Sequence, residues 1–486
     1  MGPVGGRTEV SGAYNQGMSG TPRADVRIER DSMGEMEVPA GALYGASTQR
    51  AVLNFPISGA GMPRRFLRAL ALIKLAAAET NGELGLLEPD VAAAIAAAAA
   101  SVADGDHDDQ FPIDIYQTGS GTSTNTNMNE VVAHLASARL GGRKVHPNDD
   151  VNRCQSSNDT IPTALQLSAA VAIEEELLPA LERLHTALVA KEQELWPVVK
   201  TGRTHLQDAT PIRLGQEFRG YAGQVEESLR RARAAQAELL VVPLGGTAVG
   251  TGINADPEYA FRACARLSSL TGLTVRETTN HFHAQSTLDV AIAAHGAIRT
   301  IALSLWKIAS DVRLMGMGPR AGIAEVALPE TQPGSSIMPG KVNPVIVESL
   351  TMVVARVVGN DATIAFGQTG SFLELNVMLP VTADALLESI ALLAAAAGNF
   401  SARCIEGLSA TERGPRLIEQ GLMLATALAP VIGYDDAAKL AKDALKSGRT
   451  IRELALERGM DPAELDRLLD PAAMTEPGLG GGPAGG

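Results

Sequence analysis

The segment ALLESIALLAAAAG, residues 385–398, carries the pattern that decides the fold class. Apolar residues recur there every three or four positions, as on one face of an α-helix. They are Leu386, Ile390, Leu393 and Ala397. The positions between them are also mostly apolar, and a helix that is apolar on most sides is buried on most sides. We therefore predict a deeply buried helix, covered in part by other subunits.

Four further segments between about residue 160 and residue 405 show the same rhythm. They begin at Leu177, Phe218, Ile301 and Ile346. Five long helices with such regular apolar stripes favour an elongated helical bundle. Aromatic residues make up only 3% of the chain and alanine runs are frequent, which suits closely packed helices better than a β-sandwich. The predicted fold class is mainly all-α, with a central bundle of long helices.

The length of 486 residues exceeds what one hydrophobic core supports and indicates about three domains. We predict an N-terminal domain over residues 25–156, a central helical-bundle domain over 157–407 and a small C-terminal helical domain over 408–475. The two ends, 1–24 and 476–486, are rich in glycine and are predicted to be disordered tails.

Charge and composition exclude several functional classes. The chain has 41 basic and 55 acidic residues, and a net charge of −14 makes nonspecific nucleic-acid binding a poor hypothesis. Apolar runs of membrane-spanning length without charges are missing from the sequence, so no membrane partner is expected. The N-terminus shows no apolar secretory stretch. Cys154, Cys264 and Cys404 are odd in number and far apart, which predicts reduced thiols and a cytoplasmic location.

No metal site and no cofactor are predicted. His281 and His283 lie two residues apart, but no third ligand follows at metal-binding spacing. A dinucleotide fingerprint is also missing from the sequence.

The segments that join the helices are unusually rich in Ser, Thr and Asn, accompanied by Arg, Lys or His. A helical scaffold that carries such loops predicts a site assembled at helix ends. The segments are QTGSGTSTNTNMNE (117–130), KVHPNDDVN (144–152), CQSSND (154–159), GRTHLQDATP (202–211), LGGTAVGTGIN (244–254) and PGSSIMPGKVNP (333–344).

The segment GSSIMPGKVNP, residues 334–344, predicts an anion site. Asn343 and Pro344 precede an apolar periodic run, so we predict that Asn343 is a helix N-cap and Pro344 the first helical residue. Lys341 lies just before that helix start, where exposed N–H groups favour an anion. The segment is not a Walker loop, because Val342 stands where Ser or Thr is required.

The segment GRTHLQDATP predicts a second functional loop. Arg203, Thr204 and His205 lie together before a helix that we expect to begin near Leu214. A lone histidine is more often structural than catalytic, but these neighbours make His205 the best candidate among the eight histidines.

Taken together, these segments resemble the fumarase/aspartase superfamily and, within it, the class II, iron-independent fumarases. The resemblance covers residues 26 to about 472, and GSSIMPGKVNP is the superfamily's signature. Aspartate ammonia-lyases typically have Gln where this chain has His205 and Thr where it has Ser157. They have Ala where this chain has Ser120 and Gly340, and all four residues here are the fumarase form.

The resemblance implies a three-domain fumarase/aspartase-like fold and a homotetramer in which each active site takes loops from three subunits. It implies fumarate hydratase activity, the reversible hydration of fumarate to L-malate through an aci-carboxylate intermediate, with a place in the tricarboxylic acid cycle. The partner it implies is a small dicarboxylate substrate, with no cofactor or metal.

The resemblance also implies roles for individual residues. Ser335 matches the base that removes a proton from carbon, and His205, paired with Glu348, matches the acid that acts through water. Lys341 and Asn343 would hold the aci-carboxylate. The matches for substrate binding are Ser120, Gly121, Thr122, Ser156, Ser157, Asn158, Thr204 and Ser336. The matches for a second dicarboxylate site, for which a merely structural role stays open, are Arg143, His146, Asn148 and Asp149.

Several residues depart from the family pattern and keep alternatives open. Ser123, Thr126, Met317 and the segment GQTGSFLELN (367–376) differ from the usual fumarase residues, which leaves room for a relative of fumarate as substrate. The main alternative is an aspartase-like or other succinyl-type lyase. A structural protein built on the same scaffold and a Ser/Lys amidohydrolase are weaker alternatives.

Overall fold

A computed structural model describes residues 25–478 of the chain. The predicted disordered tail 1–24 and residues 479–486 of the second predicted tail lie outside the described residues. Within the described part the structure has seventeen α-helices, with long helices in the middle of the chain. They are α1 (Ala46–Asn54), α2 (Arg64–Glu83), α3 (Pro89–Asp104), α4 (Thr122–Arg139), α5 (Ser157–Ala172), α6 (Leu178–Leu195), α7 (Leu214–Leu239), α8 (Tyr259–Thr271), α9 (His281–Ser286), α10 (Asp289–Met315), α11 (Val345–Gly367), α12 (Leu379–Phe400), α13 (Arg413–Ile418), α14 (Ala429–Ile432), α15 (Tyr434–Ser447), α16 (Ile451–Glu457) and α17 (Pro462–Leu468).

Ten short strands form five separate two-stranded ladders within residues 25–478. The pairs are β1–β2, β3–β4, β7–β10 and β8–β9, all antiparallel, and the parallel pair β5–β6. The strands are β1 (Val26–Asp31), β2 (Gly34–Pro39), β3 (Val199–Thr204), β4 (Gln207–Arg213), β5 (Val241–Val242), β6 (Arg276–Glu277), β7 (Val326–Ala327), β8 (Ser371–Phe372), β9 (Leu375–Asn376) and β10 (Ser409–Ala410).

The five predicted long helices correspond to α6, α7, α10, α11 and α12, which pack against one another as a bundle. Apolar residues at helical spacing line the inner faces. Leu181, Leu184 and Leu188 of α6, for example, are fully buried. The predicted mainly all-α fold class with a central long bundle is confirmed.

Helix α12 lies at the centre of this bundle and contacts α5, α6, α10 and α11. The chain's own helices bury most of its residues, and the expected cover of residues 385–398 by other subunits stays a prediction. Some exposed apolar side chains of this bundle lie on α10 and α11. They include Leu303, Trp306, Met352 and Phe366.

The same helix, extended through residue 405, is long and apolar enough to cross a membrane by length and composition alone. Two thirds of its most apolar window, 67%, is buried against the rest of the chain. A buried core helix passes the same test, so the expected lack of a membrane partner stays a prediction.

The hydrophobic core has two parts. One large cluster extends from Val38 to Leu408, and a separate small cluster extends from Leu424 to Leu469. The predicted N-terminal and central domains therefore share a continuous core, whereas most of the predicted C-terminal domain has its own. The predicted boundaries themselves stay predictions.

Candidate active site

A chain of side-chain hydrogen bonds joins two of the polar loops. Ser120 Oγ lies 2.8 Å from Thr122 Oγ1, which lies 2.8 Å from Ser157 Oγ. Ser157 Oγ in turn donates to Asn158 Oδ1 at 3.3 Å. We call Ser120, Thr122, Ser157 and Asn158 the hydroxyl cluster. Its short side chains offer several hydrogen-bond donors with fixed directions, which is what a small carboxylate needs.

Gly121 lets the chain turn sharply between the first two members of the hydroxyl cluster. Its φ is +70°, and a side chain there would bring Cβ within 2.8 Å of Ile161. Only glycine avoids both the left-handed strain and this collision. The predicted role of Gly121 is therefore explained by its backbone rather than by direct chemistry.

The start of α5 holds the second loop in place. Ser156 and Asp159 form a reciprocal capping box, in which Ser156 N donates to Asp159 Oδ1 at 2.9 Å. Asp159 is fully buried and also accepts the backbone N–H groups of Gly245 and Thr247, at 3.0 and 2.9 Å. Burial raises the pKa of Asp159, and these hydrogen bonds oppose that shift.

Asp159 is a site residue that the sequence interpretation missed. It ties the segment 244–254 to the loop that carries Ser157 and Asn158, and Asn158 Nδ2 adds a bond to Ala248 O at 2.8 Å. The signal was present in the sequence, because serine followed three residues later by an acidic residue is the capping-box pattern.

The segment 334–344, which we call the signature loop, is closed by backbone and amide bonds. Gly334 N donates to Lys341 O at 2.8 Å, and Asn343 Nδ2 donates to Gly334 O at 2.7 Å. The predicted N-cap role of Asn343 is therefore wrong: α11 begins at Val345, and the amide of Asn343 closes the loop instead.

Ser335 Oγ accepts two backbone hydrogen bonds inside the signature loop. The donors are Ile337 N at 3.3 Å and Met338 N at 3.0 Å. Two N–H groups that point at one hydroxyl oxygen favour its oxyanion over its neutral form. This geometry contributes to stabilising an oxyanion at Ser335, and its role as a base stays a prediction.

The other predicted residues of this loop and helix face outward. Ser336, Lys341 and Glu348 are exposed, and in the part of the chain that the structure describes their side chains make no hydrogen bond or ion pair. Lys341 and Asn343 line a cavity of about 720 Å³. Their predicted roles toward a substrate stay predictions.

Residues 199–213 form a β-hairpin rather than the predicted loop. The turn consists of His205 and Leu206, which both have left-handed backbone at φ +55° and +59°. This type I′ geometry is normally occupied by Asn and Gly, because other side chains are strained there. The hairpin tip, Thr204 to Leu206, is exposed and presents His205 to the outside of the chain.

Buried ion pairs anchor the hairpin. Arg203 binds Glu325 with both guanidinium nitrogens, at 2.8 and 3.0 Å. Lys200 Nζ lies 3.0 Å from Glu325 and 2.9 Å from Glu217, and the side chains of Lys200 and Glu325 are each 1% exposed. Burial raises the pKa of Glu217, and Lys200 opposes that shift. The network fixes the hairpin against the segment that leads into the signature loop.

The residues of the predicted second dicarboxylate site have partners within the chain. Arg143 pairs with Asp90 at 2.8 Å, and His146 Nδ1 accepts the backbone N–H groups of Asn148 and Asp149 at 3.3 and 3.1 Å. The Asp149 carboxylate lies 3.3 Å from the same nitrogen. These contacts explain the loop structurally, so its ligand role stays a prediction.

The altered segment 367–376 forms the small hairpin β8–β9. Leu373 lies at its tip with φ +50° and is 88% exposed, and Phe372 beside it is also exposed. Asn376 Nδ2 holds the hairpin by donating to Gly367 O at 3.0 Å. The departure from the family pattern therefore produces an exposed apolar tip.

The hydroxyl cluster, the signature loop and the hairpin tip are not connected to one another within one chain. Among residues 25–478, no side-chain hydrogen bond or ion pair joins any two of these three groups. The predicted pairing of His205 with Glu348 is likewise not formed inside the chain. It stays a prediction.

A buried Ser–His–Asp arrangement, which the sequence did not reveal, lies in the helical bundle. His295 Nδ1 is 2.9 Å from Asp361 Oδ1, and His295 Nε2 is 2.9 Å from Ser389 Oγ. Burial lowers the pKa of His295, against the hydrogen bond to Asp361. Since a carboxylate only accepts, Nδ1 of the neutral ring carries the proton. Ser389 Oγ lies 2.9 Å from Nε2 and 2.8 Å from Ala385 O, and its one proton serves both acceptors. The histidine is fully buried, so no substrate can reach it.

Clusters of three or more His, Cys, Asp or Glu side chains that could hold a metal ion do not occur in the described range. Cys154, Cys264 and Cys404 are all free and buried.

Comparison with protein families matches two parts of the chain. A family described as lyase matches residues 34–359, and a family described as fumarase C C-terminus matches residues 424–476. The chain therefore belongs to the lyase family and, within it, to the class II fumarate hydratases.

Individual relatives agree with this assignment. A class II fumarate hydratase of Methylorubrum extorquens is 50% identical, over 94% of this chain and 98% of the relative. The class II fumarate hydratase of Mycobacterium tuberculosis is 53% identical, over 93% of this chain and 97% of the relative. The crystal structure of class II fumarase from Schistosoma mansoni has a TM-score of 0.91 at 37% identity, covering 93% of this chain and 99% of that one.

Proposed function

We propose that the protein is a fumarate hydratase that interconverts fumarate and L-malate. The observation that carries the proposal is the match, over nearly the full length of both chains, to class II fumarate hydratases at 50% and 53% identity. The local geometry of Ser335 and of the hydroxyl cluster supports it, because both have the chemistry that the reaction requires.

Substrate binding is assigned to the hydroxyl cluster together with Ser156, Thr204 and Ser336. Fumarate is small, rigid and doubly charged, so short side chains on fixed loops orient its carboxylates better than long flexible ones. Lys341 supplies the positive charge and Asn343 an amide that can donate to a carboxylate.

In the malate direction, Ser335 removes a proton from C3. The electron pair left on C3 moves into the adjacent carboxylate and forms the dianionic aci-carboxylate. Lys341 and Asn343 stabilise that charge where it develops. Loss of hydroxide from C2, protonated through a water relay that includes His205 and Glu348, gives fumarate and water. A carboxylate beside the imidazole orients it for this acid role.

Every step is assigned to a side chain of this protein, so the reaction needs no metal or cofactor. Dialysis against a strong chelator should leave fumarase activity intact. Loss of activity that iron or zinc restores would refute this part of the proposal.

A homotetramer completes the site. Three functional groups that do not join one another within one chain need other copies of the chain to bring them together. The exposed apolar side chains Leu303, Trp306, Met352 and Phe366 on α10 and α11 provide a surface for such contacts. Light scattering should give a mass near four times 50.6 kDa. A monomer with full activity would overturn the shared site.

The alternative is an aspartase-like or other succinyl-type lyase that releases an amine. His205, Ser157, Ser120 and Gly340 favour the hydratase. The test is to follow fumarate absorbance with L-malate, L-aspartate and substituted succinates, without added metal. We expect fumarate from L-malate and none from L-aspartate, and the reverse result would favour the alternative.

We also propose a cytoplasmic location with neither a membrane nor a nucleic acid as partner. The acidic net charge of −14 and three buried free cysteines support this part.

A further inference from the structure

A buried lysine contacts the segment that precedes Ser157 of the hydroxyl cluster. Lys74 lies in the middle of α2, its side chain is fully buried, and within the described residues it forms no ion pair. Its Nζ donates to Asn152 Oδ1 at 3.0 Å and to Gln155 Oε1 at 2.9 Å. A buried lysine without a carboxylate partner is rare, so these two neutral acceptors call for an explanation.

Asn152, one of the two acceptors, also accepts hydrogen bonds from side chains of a second helix. Asn152 Oδ1 also accepts from Asn125 Nδ2 at 3.2 Å and from Asn129 Nδ2 at 3.3 Å. Asn125 and Asn129 lie one turn apart on α4, the helix that begins at Thr122. Asn152 therefore connects Lys74 to the helix that carries one side of the hydroxyl cluster.

The other acceptor leads directly to the opposite side of the cluster. Gln155 immediately precedes Ser156, and its Nε2 donates to Val151 O and Arg153 O, both at 3.1 Å. Asn152 Nδ2 donates to Gln155 O at 3.1 Å, which closes the segment 151–155 into a compact turn. That turn ends where the loop with Ser157 and Asn158 begins.

The amine is suited to hold both acceptors. Burial lowers the pKa of Lys74 to about 7, and attraction to Asp159 only partly opposes the shift. Above that pH the neutral amine has two N–H groups, which match the two acceptor oxygens in number. The side chain is then a double hydrogen-bond donor rather than a counter-charge.

We propose that Lys74 is a positioning residue of the substrate site, which sets the separation of Thr122 from Ser157 through Asn152 and Gln155. The inference rests on the proposed function, because it assigns the hydroxyl cluster to a substrate carboxylate. Lys74 itself does not reach the cluster, so it acts through the loops that it joins.

The test is to replace Lys74 by methionine, which keeps the apolar stem and deletes the donors. Shifting one side of the hydroxyl cluster weakens carboxylate binding, so KM for L-malate should rise by roughly 10-fold or more while kcat falls far less. Lys191→Met is the matched control. Lys191 is another buried lysine, bound to Leu408 O and Glu194 Oε2 at 2.7 Å each, and its loss should lower stability without changing KM.

Gln155→Leu keeps the inference testable if Lys74→Met does not fold. It removes one acceptor of the amine and should raise KM in the same way, by a smaller factor. The double variant should raise KM by less than the product of the single effects, because both changes break the same link.

A wild-type KM in either single variant would overturn the inference, as would an equal rise in KM in Lys191→Met. The wild-type enzyme's turnover of L-malate is measured in the same series and tests the proposed function separately. The inference depends on the ratio of KM values between the variants and the wild type.

Discussion

Two regions of this molecule each contain a serine, a histidine and a carboxylate. We call His295, Ser389 and Asp361 the buried set, and Ser335, His205 and Glu348 the exposed set. In the bundle, His295 contacts Ser389 and Asp361 at 2.9 Å each inside one chain. On the surface, Ser335 and His205 lie on separate exposed loops and share no contact. The proposed catalytic groups are the second set, because only they can be reached by a substrate. Complete geometry within one chain is therefore a poor guide when a site is shared between subunits.

The buried set has a structural explanation. It links three helices, since His295 lies on α10, Asp361 on α11 and Ser389 on α12. Asn360 of α11 adds a bond from its Nδ2 to Ser389 Oγ at 3.0 Å. A buried polar network of this kind fixes the register of packed helices.

The largest expected effect concerns the ion pairs that anchor the hairpin with His205. Glu325→Gln removes the carboxylate that Arg203 and Lys200 share, so Arg203 loses its bidentate partner and Lys200 keeps only Glu217. It should lower the free energy of unfolding by about 3–5 kcal/mol, measured by chemical denaturation. Glu217→Gln is the control, because Lys200 then keeps Glu325. Equal losses in the two variants would contradict the anchoring role of Glu325.

Next is the proposed base itself. Ser335→Ala deletes the oxygen that the amides of Ile337 and Met338 stabilise, without changing the charge of Lys341. It should lower kcat by about 10²-fold or more, with a modest change in KM and unchanged stability. Steady-state kinetics with L-malate measures this, and a wild-type kcat would rule out Ser335 as the base.

Ser389→Ala should give the opposite result to Ser335→Ala. The substitution leaves the buried Nε2 of His295 and the amide of Asn360 without their shared partner. Stability should fall by about 1–3 kcal/mol, and kcat should stay at the wild-type value. Thermal unfolding and kinetics on the same preparation check both parts. A large loss of kcat in a folded Ser389→Ala protein would give the buried set a role in turnover.

A smaller effect is expected at the hairpin tip. Leu206 has left-handed backbone, so Leu206→Gly should relieve strain and raise stability by up to about 1 kcal/mol. The same change loosens the turn that carries His205, so kcat should fall. Gln207→Gly, in the adjoining strand, is the control and should only destabilise. Higher stability with an unchanged kcat would show that the strained turn has no functional role.

The smallest expected effect is the change in stability with pH that His295 contributes. Burial lowers the folded-state pKa of His295 below its ordinary value of 6.5, and the bond to Asp361 offsets part of that shift. The unfolded chain therefore binds the proton more readily. The stability from this group is complete above pH 6.5 and is lost as pH falls toward the folded pKa. Denaturation midpoints of wild type and His295→Gln should converge as pH falls from 7 to 5, and parallel curves would contradict this.

The helical part of the fold could be predicted because its signal is local. An apolar period of three to four residues places α10 and α12 without knowledge of their neighbours. How much of α12 the chain's own helices bury is a tertiary property, which the apolar pattern of one helix does not contain. The hairpin β3–β4 was missed because its turn, His205 and Leu206, lacks the Asn-Gly signal.

The candidate site could be predicted residue by residue, but not its arrangement. Motifs pointed to Ser157 and Ser335, and the structure shows the contacts that each makes. Lys74 lies in an apolar helix far along the chain from its partners, so no spacing rule connects it to Asn152. The proposed meeting of loops from different subunits is likewise absent from the local pattern of any one segment.

The measurement that tests the central claim most directly is activity after subunit exchange. Ser335→Ala and His205→Asn proteins, each inactive alone, are mixed and allowed to form hybrids, whose presence is verified by mass. If one site takes Ser335 and His205 from different subunits, some hybrid sites contain neither lesion, and fumarase activity should return. If both residues serve the same site from one subunit, every site contains a lesion. Verified hybrids without any recovered activity would contradict the shared site.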